Sequence, residues 1–363
     1  MLTRKPRFPI KDILLFGLWP SFVKRSLYRL RGYRIGKGVS IGFGSVICGE
    51  EVAIGDHTEI GFFSFLRGKR IKLGKRISIG SATMIDTPIV KIGDGTKINE
   101  QVFVGGLQDP DSRITIGRNC QIMQMTFINP AKWITIGDDT GIGGDSLLFG
   151  HTTWLSKFEG YPADFKPIEI GSSVSIAWRV FVGAGAKIGD GAVIGANSLV
   201  TRSIPEKCLA TGSPAKVIAK APYFPRDVSE DDKVRYLREI LREMIGYLRG
   251  NGIECRQGED FKTIAVRYDK KGWLSSRSLD AELHVEFDTD GEGNYDLGDT
   301  KFDAFLSLKG IPDRNRDELN RRGIVWLDIE NKERADRDCE LASEVTQYIR
   351  RYGVRFIRVP ADN

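Results

Sequence analysis

Apolar positions in the first 220 residues recur neither every 3.6 residues, as on a helix face, nor every second residue, as on a simple strand, but every sixth. An aliphatic residue followed by Gly marks the step: Ile35-Gly36 then Ile41-Gly42, Ile54-Gly55 then Ile60-Gly61, Leu73-Gly74 then Ile79-Gly80, Ile136-Gly137 then Ile142-Gly143. Ile170, Ile176, Val182, Ile188, Ile194 and Val200 keep the spacing without a gap, and Ile92, Ile98 and Val104 do so earlier. A sustained six-residue period predicts one short strand and one turn per repeat, three of which close a coil. Stacked coils form a triangular prism in which the aliphatic residues pile into ladders and Gly relieves the tight turns.

The segments "IGDGAVIGANSLVTRSIP" and "TGSPAKVIAK" resemble the hexapeptide-repeat acyltransferases, sugar O-acetyltransferases among them, over about residues 31 to 220. The resemblance implies that the parallel β-helix is left-handed and that the protein is a homotrimer with sites between subunits. It also implies an acetyl-CoA-dependent transfer. Most Ile-Gly pairs are scaffold, so chemistry is expected where the repeat breaks.

The repeat disappears between Leu148 and Ile170, in a stretch containing "FGHTTWLSKFEGYPADFKPIEIG". His151 is the one histidine of that break and one of three in the chain. In the family it resembles, a histidine ahead of Pro-hydrophobic-x-Ile-Gly is the general base, and here that frame is Pro167-Ile168-Glu169-Ile170-Gly171. Imidazole near pKa 6.5 can take the proton of an alcohol as it attacks a thioester carbonyl, for roughly 10²- to 10⁴-fold in rate. Asp145, Glu159 and Asp164 are the candidates to orient its other ring nitrogen, and Asn129, before Pro130, to hold the acceptor hydroxyl or the carbonyl oxygen. Asn before Pro is also an ordinary turn former. For the donor, the resemblance points to Ala177, Trp178, Ala196, Thr201, Arg202, Lys216 and Lys220, with small residues along the pantetheine arm and basic groups at the phosphates. Trp178 departs from the family, which writes Trp-Ile-Gly and a small residue where this chain has Ser175-Ile176-Ala177-Trp178.

Composition divides the chain. Residues 1–225 hold 29 Lys/Arg against 18 Asp/Glu and 30 of the 41 Gly, whereas residues 226–363 hold 25 against 30, which places a domain boundary near 226. The expected organisation is a basic amphipathic cap (residues 1–34), a β-helix (residues 35–220) and an α+β domain (residues 226–363). Residues 1–37 carry ten Lys/Arg and one acid, Asp12. That segment reads as a cap over the open end of the β-helix, or as peripheral attachment to an anionic membrane, with both compatible. In the last third, "SEDDKVRYLREILREMIGYLRGNG" and "CELASEVTQYIRRYG" read as helices, and "KTIAVRY", "AELHVEF", "FDAFLSL", "GIVWLDI" and "VRFIRVP" as strands. Its expected role is acceptor selection or assembly. Asp288, Asp290, Glu292, Asp296 and Asp299 lack the order of a calcium loop and read as a solvated hairpin region.

Five scattered cysteines without a CxxC argue against a disulfide framework or zinc knuckle, and neither a secretory signal nor an apolar run of membrane-spanning length is visible. The expectation is a cytoplasmic enzyme, with attachment at the inner face of the membrane compatible with it, a sugar or glycan acceptor, no metal and no nucleic acid. A zinc hydratase on this fold needs three histidine ligands, and the repeat region has two, His57 and His151. N-acylation of an amino-sugar nucleotide and a non-catalytic assembly module are the alternatives.

Overall fold

The computed structural model describes residues 10–152, 155–271, 276–289, 294–298 and 301–360. The chain forms two compact units, Met1–Arg226 and Asp227–Asn363.

The first unit is the left-handed parallel β-helix, with three faces running its length. Face A carries eight strands from Arg34–Ile35 to Lys187–Ile188. Face B carries ten, the last being Cys208–Thr211 and Lys216–Lys220, and face C eight, from Val46–Cys48 to Leu199–Val200. Each coil's strand pairs in parallel with that of the next coil, so Ile54, Leu73, Ile92, Ile116 and Ile136 lie in one register along face A. All five are buried, and each contributes about 1.5–3 kcal/mol of hydrophobic stabilisation.

The repeat glycines work differently from the expectation. In Ile54-Gly55-Asp56-His57 the left-handed residue is His57 (φ 56°), not the glycine. Gly55 is required by closeness instead, since a Cβ there would sit 2.5 Å from the carbonyl carbon of Gly74 in the coil above. The turns from A to B and from B to C are built this way, while the turn from C to A carries every long excursion of the coil: residues 105–112 and residues 150–167.

The helix Ser21–Leu30 closes the first coil by satisfying its open strand edge. Lys24 Nζ donates to the carbonyls of Gly42 (2.6 Å) and Ser45 (3.0 Å), Ser21 Oγ accepts from Ile41 N (2.9 Å), and Tyr28 Oη accepts from Ile47 N (2.9 Å). Burial lowers the Lys24 ammonium to about 8. Residues 1–9 of the expected cap lie outside the described residues.

Among its described residues the second unit forms a seven-stranded mixed sheet with three α-helices, Glu230–Gly250, Asp313–Arg322 and Glu340–Ile349. Ser229 caps the first, its Oγ accepting from Asp232 N (3.2 Å). All five expected strands are present, within the spans Thr263–Lys271, Ser276–Glu286, Ala304–Ser307, Val325–Asp328 and Ile357–Val359. The helix Asp313–Arg322 is unannounced because only Asn315 and Leu319 are buried in it, so no apolar period appears in DRNRDELNRR. Of the acidic string, Asp290, Glu292 and Asp299 lie outside the described residues.

Candidate active site

Face C bears an outward stack of phenylalanines, because four of its strands set a half-exposed Phe next to the buried aliphatic ladder residue, on the opposite face of the strand. Phe103, Phe127, Phe149 and Phe181 follow one another at centroid distances of 4.7, 5.2 and 5.7 Å. The stack runs beside the turn from C to A, where the long excursion begins. Its first residues form a small antiparallel hairpin, with His151 opposite Phe165 and Thr152 opposite Asp164.

That hairpin sets the imidazole between two rings. The His151 ring lies 6.1 Å from Phe165 at 15° and 5.8 Å from Phe149 at 39°. The side chain is half-buried, and its Nδ1 is fully buried without a hydrogen-bond partner. Burial among apolar rings lowers its pKa below the ordinary 6.5. The ring is therefore neutral at pH 7, in the form a general base needs.

None of the three carboxylates singled out from the sequence is hydrogen-bonded to it. Asp145 sits at the turn from B to C, on the far side of face C, paired with Arg179 Nε (3.2 Å). Asp164 pairs with Lys166 Nζ (3.1 Å), and Glu159 is exposed in the short turn Lys157–Glu159. The ring is held by aromatic packing, where a carboxylate would lose its hydration.

Asn129 lies one coil earlier at the same turn, 5% exposed, with Oδ1 buried and unpartnered. Its backbone carbonyl accepts from Gly150 N (3.0 Å), next to His151. Its amide presses on the first excursion, where a Cβ on Gly106 would lie 2.5 Å from Asn129 Nδ2. That excursion is tied down by Lys132 Nζ to Asp109 (2.6 Å) and Ser112 Oγ to the carbonyl of Ala131 (2.9 Å). Sequence reading missed Thr87, whose Oγ1 is likewise buried and unpartnered at this turn two coils before Asn129. It also missed the aromatic walls, although Phe recurs immediately before the ladder residue at Phe103, Phe127 and Phe181.

Of the donor candidates, Ala177, Trp178 and Ala196 share the turn from B to C in the last two coils. The Trp178 indole rests on Gly144, where any Cβ would come within 2.6 Å of it, and remains 45% exposed. Thr201 and Arg202 are exposed just past the end of face C. Lys216 and Lys220 stand at opposite ends of the strand Lys216–Lys220, about 13 Å apart, so the structure does not bring Lys220 to the others. Among the described residues no group of three or more His, Cys, Asp or Glu is arranged to hold a metal ion.

No family model matches the chain. The galactoside O-acetyltransferase of Escherichia coli K12 is 34% identical over 134 residues, which are 36% of this chain and 63% of that protein. A putative lipopolysaccharide biosynthesis O-acetyltransferase of the same organism is 35% identical over 114 residues, 28% of this chain and 58% of its length. The chain thus spans less than two thirds of either relative. Among solved structures, a hexapeptide-repeat acetyltransferase from Vibrio cholerae is 24% identical, with 39% of this chain and 72% of that one covered at a TM-score of 0.26. In its six-residue repeat and in its curated relatives, the chain resembles the hexapeptide-repeat acyltransferases.

Proposed function

We propose that this protein is an O-acetyltransferase that moves acetyl from acetyl-CoA to a hydroxyl of a sugar, in a bacterial surface polysaccharide or its precursor. The observation that carries the reading is His151: an imidazole half-buried between Phe149 and Phe165, its pKa lowered by that burial, at the longer of the two excursions of the coil, with the unpartnered Asn129 Oδ1 one coil earlier at the same turn. With Nδ1 buried, Nε2 is the nitrogen left to meet a substrate. It accepts the proton of the sugar hydroxyl as that oxygen bonds to the thioester carbonyl carbon. It returns the proton to the sulfur when the carbon–sulfur bond breaks, which yields the acetyl ester and free CoA thiol. In this reading the unpartnered Oδ1 of Asn129 accepts a hydrogen bond from the acceptor. The small residues Ala177 and Ala196 leave room for the pantetheine arm, and Arg202 and Lys216, without ion-pair partners among the described residues, suit its phosphates.

Two further parts belong to this reading. A homotrimer would set each His151 against a neighbouring subunit, and a monomer by light scattering with full activity would contradict it. The closed end of the prism would rest on an anionic membrane, because Leu14, Leu15, Leu18, Phe22 and Leu30 are all more than half exposed beside the basic N-terminal segment. Flotation with phosphatidylglycerol vesicles, lost in Leu14→Glu/Leu18→Glu, tests that contact. Among the described residues no helix is long and apolar enough to cross a membrane.

The test of the chemistry is thiol release from acetyl-CoA across a panel of sugars and glycan precursors. Acceptor-dependent release that falls about 10²- to 10⁴-fold in His151→Ala is the expected outcome. Equal turnover by the variant would remove His151 from its role.

A further inference from the structure

The outward surface of face A is charged in a way the rest of the prism is not. Its side chains stand in two columns. One runs Arg34, Ala53, Lys72, Lys91, Thr115 in successive coils, and the other runs Glu51, Arg70, Ile89, Arg113, Trp133. Over the first five coils this makes five cations, Arg34, Arg70, Lys72, Lys91 and Arg113, against Glu51. None of the five has an ion-pair partner among the described residues. Several cations elsewhere on the prism are neutralised, Arg67 by Asp86, Arg118 by Asp138, Arg179 by Asp145, and Lys187 by Glu169 farther along this same face, and those that are not do not line up in successive coils. The surface is also concave, with a groove of about 270 Å³ over the first four coils and one of about 550 Å³ continuing toward the turn from A to B.

Five unpaired cations on one rigid sheet repel one another, and nothing in the fold requires them there, since the later coils carry Thr115 and Thr135 in the same column. They span four strand spacings, about 19 Å, in rows about 4.8 Å apart. Such a ladder matches an extended anion with charges repeated along its length and not a single compact phosphate. The second column ends in an aromatic platform: Arg113 lies over the Trp133 ring at 4.9 Å. Trp133 follows Lys132, whose Nζ holds Asp109 of the first excursion and whose backbone lies under Gly150, the residue before His151. The ladder therefore leads to the turn that carries the candidate base.

We propose that face A of coils one to five binds an acidic polysaccharide, a carboxylate-bearing glycan lying along the prism axis with its sugar rings against Trp133. This deepens the acetyltransferase reading by naming the acceptor class and rests on that reading for the link to His151, but the binding itself does not require catalysis. The probe is a fluorescein-labelled oligogalacturonate, titrated without acetyl-CoA into the full chain, into His151→Ala, and into Arg70→Glu/Lys72→Glu/Lys91→Glu. All three substituted side chains are exposed, so the variant should keep the wild-type melting temperature. Expected are binding by wild type and His151→Ala alike, weakening with salt, and at least a tenfold loss in the triple variant. Arg70→Lys/Lys72→Arg/Lys91→Arg should restore it. Equal affinity of wild type and the charge-reversed variant, equal binding of neutral dextran, or tighter binding of single-stranded RNA would each overturn the proposal. Intact glycan binding without thiol release would leave this site standing and remove the acetyltransferase reading alone.

Discussion

Two kinds of turn alternate along the prism, and they are made under opposite constraints. At the turns from A to B and from B to C, the coil above presses on the residue that follows the ladder position, glycine in most coils and Asn99, Met123 or Ala177 in the others, and a left-handed residue two positions later completes the turn. At the turn from C to A the chain is free to leave the coil, and there it keeps Thr87 Oγ1, Asn129 Oδ1 and His151 Nδ1 buried and unpartnered. Buried polar atoms without partners cost about 1–3 kcal/mol each. Such atoms also occur at the first kind of turn, as Asn99 Oδ1 and Asn119 Nδ2, and what sets the turn from C to A apart is that its three share that turn with the excursions that break the repeat. The comparison separates the turns closed by coil-on-coil packing from the turn that carries the excursions and His151.

The sharpest way to break this contrast is to load the first kind of turn. Gly55→Val places a branched side chain into the backbone of Gly74, and the expected loss is about 3 kcal/mol, at the upper end for overpacking because the obstacle is backbone, seen as reduced soluble yield and a lowered midpoint in urea. An unchanged midpoint would mean that the coils do not pack as described. Next in size is Asn129→Ala at the open turn. Turnover should fall about tenfold to a hundredfold, the equivalent of roughly 1–3 kcal/mol, while thermal stability stays within a few degrees. A stability loss that accounts for the whole fall in activity would make Asn129 a turn residue and nothing more. Trp178→Ala uncovers Gly144 and should raise KM for acetyl-CoA severalfold with little change in kcat, read from initial rates. Asp145→Asn should do least. Its pair with Arg179 is exposed and lies across face C from His151, so activity and stability both stay near wild type. A large loss of activity there would return Asp145 to the site.

How much of this was legible beforehand follows the same division. The hexad is a one-dimensional signal, and the ladders from Ile35 to Val200 appear where the aliphatic residues said they would. In the second unit, strands with dense β-branched and aromatic residues were visible, and the polar helix Asp313–Arg322 was not. At the candidate site, the break around His151 could be read because it interrupts a period. Its surroundings could not, since Asp145 and Asp164 are near in sequence yet held by Arg179 and Lys166, and Phe165 reaches the imidazole only through the hairpin. The cations of face A were counted as net charge. Their alignment exists only once Arg70, Lys72 and Lys91 are stacked in register.

The pH dependence of kcat/KM tests the central claim, that a buried neutral imidazole at the turn from C to A is the base. Burial holds the folded His151 pKa below 6.5, so the proton is taken up by the unfolded chain near 6.5 and by the folded chain only at lower pH. Stability contributed by the neutral ring is therefore lost as pH falls from about 6.5 through the folded value, and activity should fall over the same window. The account predicts a plateau at pH 7 and above, an acid limb with an apparent pKa below 6.5, and the disappearance of that limb from the residual activity of His151→Ala. A limb centred above 7, or one that survives the substitution, would contradict it.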